Sequence, residues 1–189
     1  MLLSQFQNVG RDLFVRGIIS SHTGNLSIRL RNRLIITRRD CMLGALEEHD
    51  LIETGINKND RFTPLASTDL AIHRAIYQMT PTGAVIHAHP PHAIALSLTE
   101  TEIVPNCSEG LDTVGRVPVL GCGMEVKSGG VAEVIAEALL EHRVVMVRGH
   151  GSFAIGSLME DAFKCTTALE ENSQVICLLK ALKVSPAGE

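Results

Sequence analysis

Ala84-Val85-Ile86-His87-Ala88-His89 is the stretch on which the fold turns, and Pro90-Pro91 closes it. An apolar run with β-branched residues that ends at two prolines predicts a buried strand over Ala84–His89. Strand side chains alternate between faces, so His87 and His89 share one face. A third histidine, His150, stands in Arg148-Gly149-His150-Gly151, directly after the apolar run Val144-Val145-Met146-Val147. That run predicts a second buried strand, with His150 at its end. Three imidazoles gathered from two strand ends could form a facial set. Such a set binds zinc or a similar divalent ion and leaves positions open, the pattern of catalytic rather than structural sites. Alone, an H-x-H pair or a Gly-His-Gly is more often plain core or turn; the combination is what points to a metal.

Working outward, Leu3, Phe6, Leu13, Phe14 and Ile18 fall on one helical stripe, with Gly17 near its end, and predict an N-terminal helix. Asn25–Leu30 and Arg33–Thr37, joined by Arg31-Asn32, read as a β-hairpin, and Asp50–Glu53 as an added strand. A helix is expected to open near Ser67-Thr68-Asp69, where two hydroxyls and a carboxylate crowd the first turn. Further helices are expected over His92–Leu98 and Val131–His142, and a strand over Ser152–Ile155. The last helix should start at Ser157, whose spacing to Glu160 fits a capping box, and run to about Leu182. Helices alternating with strands and hairpins predict an α/β fold with a largely antiparallel or mixed sheet and helices on its faces.

Length and composition bound the rest. At 189 residues with no linker or repeat, the chain reads as one domain over 1–189. It is 45% hydrophobic with a net charge of -4, so no basic field points to nucleic acid. Aromatic content of 3% argues against base-stacking platforms and leaves Tyr77 as the only phenol. Five cysteines (Cys41, Cys107, Cys122, Cys165 and Cys177) with no C-x-x-C spacing argue against a disulfide framework or a Cys₄ site. They read as small buried apolar residues in a reducing cytosol. No signal peptide and no membrane span are expected.

Asp69 lies ahead of the His87/His89 strand by a helix and a short loop. It could be a general base beside the metal, a fourth ligand, or a carboxylate that only serves the helix dipole. Ser67, Thr68 and the free N–H groups of that helix start could cradle a phosphate or could merely cap the helix. Gly24-Asn25 is either a plain turn or a second anion-binding stretch. Of His22, His49, His73, His92 and His142, His92 stands nearest the H-x-H pair and is the best placed to touch a substrate.

Five stretches in order carry a resemblance: Gly24-Asn-Leu-Ser-Ile-Arg29, Ile36-Thr37, Ser67-Thr-Asp-x-x-x-His73, His87-x-His89 and Gly149-His-Gly151. Together they resemble the class II aldolase/adducin family over nearly the whole chain, nearest its L-fuculose-1-phosphate aldolase branch and small archaeal-type relatives. The resemblance implies a three-layer α/β/α fold with a mainly antiparallel central sheet, and a cytoplasmic homotetramer with sites near subunit interfaces. It implies one Zn²⁺ per subunit, or another divalent ion, on His87, His89 and His150. Asp69 falls where the aldolases carry a catalytic Glu, and Gly24, Asn25, Ser67, Thr68 and Arg39 fall at or beside phosphate-binding positions. Glu109, in Ser108-Glu-Gly110, falls in the loop that lines the site in relatives and is a candidate second acid. The implied activity is a zinc-dependent aldolase that cleaves or forms a ketose 1-phosphate through the enediolate of dihydroxyacetone phosphate, with an aldehyde as the other fragment. The alternative is a pentulose-5-phosphate 4-epimerase, whose members carry Asp at the position of Asp69. Dehydratases and decarboxylases share the scaffold, and an adducin-like binding module would have lost the histidines. The chain departs from the family in Thr37-Arg-Arg-Asp40, where a Gly-containing turn is usual and where Arg38 and Arg39 could instead pair an anion. It also lacks the Tyr that larger aldolases and the epimerase place near the C-terminus.

Overall fold

The structure, a computed structural model, describes residues 2–121 and 130–183. Its described residues form eight strands and six α-helices. In chain order these are α1 (Leu2–Val15), β1 (Asn25–Leu30), β2 (Arg33–Thr37), β3 (Leu51–Gly55), α2 (Leu70–Met79), β4 (Ala84–Ala88), α3 (Pro91–Ser97), β5 (Glu102–Ile103), α4 (Ser108–Val114), β6 (Val117–Leu120), α5 (Val131–Ala138), β7 (Val144–Val147), β8 (Gly151–Gly156) and α6 (Met159–Leu182). Short 3₁₀ turns lie at Leu43–Ala45, Glu48–Asp50 and Thr63–Leu65. The sheet order is β3-β2-β1-β4-β8-β7-β6-β5. Its neighbours are antiparallel except for β6 and β7, which run parallel, so the sheet is mixed but mainly antiparallel as expected.

Alternation along the strands divides the core into layers. Leu34, Ile36, Val85, Val145 and Phe153 face α2 and α5. Their neighbours Ile35, Ala84 and Ile86 face α1 and the start of α6, and Val144, Met146 and Ala154 face α3, α4 and the rest of α6. This is the three-layer α/β/α arrangement. β4 is buried at all five positions, which explains why it reads as a continuous apolar run rather than an alternating one.

Several local expectations are corrected. Phe14 is 44% exposed, with its ring over Gly44; the buried positions of α1 are Phe6, Val9, Gly10 and Leu13. β3 begins at Leu51, because Asp50 belongs to the preceding 3₁₀ turn. The helical pattern of Val131–His142 holds only to Ala138, after which the chain turns toward β7. No Ser157–Glu160 box forms. Asp161 Oδ2 accepts the Leu158 N–H at 2.9 Å, while Glu160 takes Gln5 Nε2 at 3.0 Å. Glu109 lies in α4 rather than in a loop. Cys41 and Cys165 are buried and Cys177 partly so, but Cys107 is exposed, and Cys122 lies outside the described residues.

Candidate metal centre

β4 sits between β1 and β8, and its register fixes what surrounds His87: Asn25 opposite on β1 and Phe153 opposite on β8. The His87 ring stacks on Phe153, with centroids 4.2 Å apart. His87 Nδ1 lies 2.9 Å from the Ser152 carbonyl. A carbonyl only accepts, so Nδ1 carries the proton and the Nε2 lone pair points into the site. A partner on the far nitrogen that fixes the tautomer in this way is what metal-binding histidines usually have.

His89 follows β4 and is tied by its backbone N–H to Ile18 O at 3.0 Å. His150 lies in the turn between β7 and β8. The rings of His89 and His150 are 4.9 Å apart and those of His87 and His150 5.1 Å. One nitrogen from each histidine lies within 4.8 Å of the others, and His87 Nε2 and His89 Nε2 are 3.0 Å apart. On a tetrahedral ion with bonds of about 2.0–2.1 Å, ligand nitrogens sit roughly 3.3 Å apart. The three residues could therefore hold a metal ion with small rotations of the rings. His89 Nε2 can donate to the His87 Nε2 lone pair as the neutral Nε2–H tautomer, or, with its proton on Nδ1, turn a second lone pair toward a shared cation. Protonation is disfavoured. Burial pushes His87 down to about 3, with Asp69 pulling up and His89 pushing further down. His89 is lowered as well, first by burial and then by His150. The donor chemistry thus fits a cation.

Two glycines make room. Gly24 has φ +80°, and a Cβ there would come 2.7 Å from the His87 carbonyl oxygen. A Cβ at Gly151 would sit 2.4 Å from Ala88 O and 2.8 Å from His89 Cδ2, so a side chain would displace the imidazoles.

Asp69 occupies the N-cap position of α2, yet its side chain makes no capping bond. Instead Oδ2 accepts from Asn25 Nδ2 at 2.7 Å and lies 3.7 Å from His87 Nε2. With His87 neutral this contact is not an ion pair. The carboxylate faces the histidines, which the helix-dipole reading does not require.

Gly24, Asn25, Arg39, Ser67, Thr68, Asp69, His87, His89 and His150 all border one cavity of about 210 Å³. Ser67 Oγ accepts the Asp69 N–H at 3.2 Å. Arg38 is pinned to the buried Asp50 at 2.9 Å, leaving Arg39 exposed on the rim with no ion-pair partner among the described residues. Glu109 is exposed on α4 and does not border this cavity. Nor does His92, whose Nδ1 lies 2.6 Å from Glu170 Oε1 while its backbone N–H donates to the same carboxylate. A larger cavity of about 650 Å³ lies at the other end of β4, between the α2–β4 turn and the start of α6, and holds none of these residues. His22 and Asp40 also border the smaller cavity, and buried His73 lies one turn beyond Asp69 on α2. His73 stands in the Ser67-Thr-Asp-x-x-x-His73 stretch and Asp40 in Thr37-Arg-Arg-Asp40, but neither stretch assigns them a role, and nothing in the local sequence marks His22.

Comparison with known proteins agrees with this architecture. The model of the Class II Aldolase and Adducin N-terminal domain matches residues 4–177. L-fuculose phosphate aldolase of Methanococcus maripaludis is 26% identical over 97% of this chain and 100% of its own length. Methylthioribulose-1-phosphate dehydratase of Acidiphilium cryptum is 32% identical over 86% of this chain and 83% of its own. The crystal structure of L-fuculose-1-phosphate aldolase from Thermus thermophilus superposes with a TM-score of 0.89 at 34% identity, covering 98% of each chain. No helix among the described residues is long and apolar enough to cross a membrane. A match over most of the chain, on a shared three-layer fold, makes this protein a member of the class II aldolase and adducin family.

Proposed function

We propose that this chain, folding as one domain, is a zinc-dependent class II aldolase of cytoplasmic carbohydrate metabolism. It would cleave a small ketose 1-phosphate to dihydroxyacetone phosphate and an aldehyde, or run the reverse. The observation that carries this reading is the Asp69 carboxylate, held by Asn25 at 2.7 Å and aimed at the histidine cluster. A binding module needs no carboxylate there. Three imidazole nitrogens with no thiolate favour Zn²⁺ among common divalent ions. When bound, the ion supplies a Lewis acid for the negative charge that develops on the substrate's ketone and hydroxyl oxygens.

The chain's own residues do the rest. Asn25 holds Asp69 Oδ2 on the side of the histidines. The carboxylate takes up the proton that the C4 hydroxyl releases as the C3–C4 bond breaks and hands it to C3 of the departing fragment, or runs the same transfer backward in synthesis. The Ser67 and Thr68 hydroxyls, with backbone N–H groups near Gly24 and Asn25, receive the phosphate. The Asn25 side chain contributes less there, since Asp69 occupies its amide. Arg39, on the rim and without an ion-pair partner among the described residues, offsets the phosphate charge. Glu109 could act as a second acid only from a neighbouring subunit of a homotetramer. Exposed Met42, Phe62 and Leu65, near Arg39, offer apolar surface for such a contact.

The presence of Asp rather than Glu at position 69 favours a second reading, a pentulose-5-phosphate 4-epimerase, which shares the bond-breaking step. The test is metal-loaded protein with L-fuculose 1-phosphate, L-ribulose 5-phosphate and methylthioribulose 1-phosphate, read by product mass and chromatography. Release of dihydroxyacetone phosphate and an aldehyde supports the proposal. An epimer with no aldehyde selects the second reading, and loss of water rejects both.

A further inference from the structure

Two ladders of polar residues meet where α2 crosses β1. From α2, Asp69, His73 and Tyr77 recur every fourth residue and so share one face. From β1, Asn25, Ser27 and Arg29 recur every second residue and share one face. Four helical residues rise about 6 Å and two strand residues about 6.7 Å, so the ladders advance almost in step. They pair rung by rung. Asn25 Nδ2 donates to Asp69 Oδ2 at 2.7 Å. Ser27 Oγ bonds His73 Nδ1 at 2.6 Å and Tyr77 OH at 2.8 Å. The Arg29 guanidinium lies over the Tyr77 ring at 5.1 Å and donates to Thr80 O, at the end of α2, at 3.2 Å. The middle of the seam is buried: Ser27 and His73 are 0% exposed and Tyr77 2%.

Around the seam, α2 packs through Leu70 and Ile76 against Ile36, Val85 and Phe153. Apolar contacts of this kind tolerate a helix sliding along a sheet. Hydrogen bonds do not, because a shift of one residue would strand Ser27, His73 and Tyr77 without these partners in the interior. The seam is not tuned for stability alone. His73 Nε2 is buried with no hydrogen-bond partner among the described residues, and Asn25 Oδ1 is in the same state. An apolar side chain at position 73 would avoid that cost.

We propose that Ser27 and His73, supported by Tyr77, are positioning residues that set the axial register of α2 on β1 and so place the Asp69 carboxylate against the histidine cluster. The functional part of this inference rests on the reading of Asp69 as the proton-transfer group.

Three variants separate the terms. His73→Asn keeps a polar atom near the position of Nδ1, His73→Gln places one near Nε2, and His73→Leu removes both. In metal-loaded protein, the Leu and Gln variants should lose about 10- to 100-fold in kcat, as misplacement of a reacting group by about an ångström does. Their KM, bound metal and Tm should stay close to the parent values, and the Asn variant should recover most of the rate. In crystals of metal-free His73→Leu protein the Asn25–Asp69 hydrogen bond should lengthen or break. Ser27→Ala, a small change that preserves the fold, should reproduce the kinetic loss if His73→Leu does not fold. Parent-like kcat in His73→Leu, or a loss that tracks bound metal or Tm, would overturn the proposal. So would an unmoved Asp69 in the crystal. An Asp69→Asn background separates the two readings. If Asp69→Asn alone leaves turnover intact, the proton-transfer reading fails, while the crystal still decides the positioning claim. If Asp69→Asn is impaired and His73→Leu lowers the remaining rate by its full factor, the effect does not pass through Asp69 and the proposal fails.

Discussion

Replacing Asp69 by Asn tests the chemistry with little structural disturbance. The side chains are isosteric, and an Asn amide can turn its oxygen toward Asn25 Nδ2 and keep the 2.7 Å bond in neutral form. The carboxylate makes no capping bond to α2, so the usual penalty of about 1 kcal/mol for a lost N-cap does not apply. Tm should therefore move little. What is lost is the proton acceptor. A general acid–base residue is worth about 10²–10⁴-fold, or roughly 3–5 kcal/mol of activation free energy. Deuterium exchange at C3 of dihydroxyacetone phosphate in D₂O isolates the step without any aldehyde partner. With zinc loaded and its stoichiometry measured, exchange by the variant should fall by that factor. Parent-rate exchange by fully loaded Asp69→Asn protein would refute the assignment. A loss that excess zinc restores would make Asp69 a ligand instead.

Three other outcomes are expected. His150 is exposed and makes no side-chain hydrogen bond among the described residues, so His150→Ala should change stability by no more than about 0.5 kcal/mol yet abolish stoichiometric metal, measured by elemental analysis after dialysis. Ser67→Ala with Thr68→Ala should raise KM for a phosphorylated substrate far more than for the free sugar, and equal losses on both would mean that the hydroxyls only shape the turn. Burial holds His73 down to about 4 against 6.5 for a free histidine, so the unfolded chain takes up the proton first as pH falls. The stability this contributes is complete above about pH 6.5 and is lost as pH drops toward 4, amounting to roughly 3 kcal/mol. Urea denaturation across that window should show the decline, and His73→Leu should make it shallower without abolishing it, since buried His87 and His89 are lowered in the same way; an equally steep profile in that variant would contradict the assignment.

The parts of the fold that were legible in the sequence are those whose burial follows one period. β4, β7 and the β1–β2 hairpin were bounded within a residue or so, because apolar runs flanked by Pro, Gly or a polar turn leave few other readings. β5, α4 and β6 were not seen. β5 is two residues long. β6 contains Pro118, which in sequence argues against a strand; here Pro118 stands opposite Glu102 near the edge of the sheet, where a missing N–H is tolerated. α4 has seven residues with Gly110 inside, and its cap is Cys107 Sγ, which accepts the Gly110 N–H at 3.3 Å, rather than a Ser, Thr, Asp or Asn. Phe14 shows the opposite failure. A helical stripe records which residues could face the core, and the core wanted Val9 and Gly10 instead.

For the site, the three histidines were legible because each sits at a strand end in a short local motif. The pairing that orients Asp69 was not, since its partner on β1 lies 44 residues away. The same holds for His73, which bonds Ser27 across 46 residues. Spacing within α2 shows that Asp69, His73 and Tyr77 share a face, but not whether that face meets solvent, an apolar wall or another polar ladder. Only the register of α2 on β1 decides, and that is a property of the packed molecule. Three of the five buried polar atoms without partners among the described residues, on Asn25, Arg29 and His73, lie along this one seam. Folding alone would select such atoms away. If Asp69 is the proton-transfer group proposed above, their place along the seam that carries it fits a fold in which placement of that group is kept at the expense of stability.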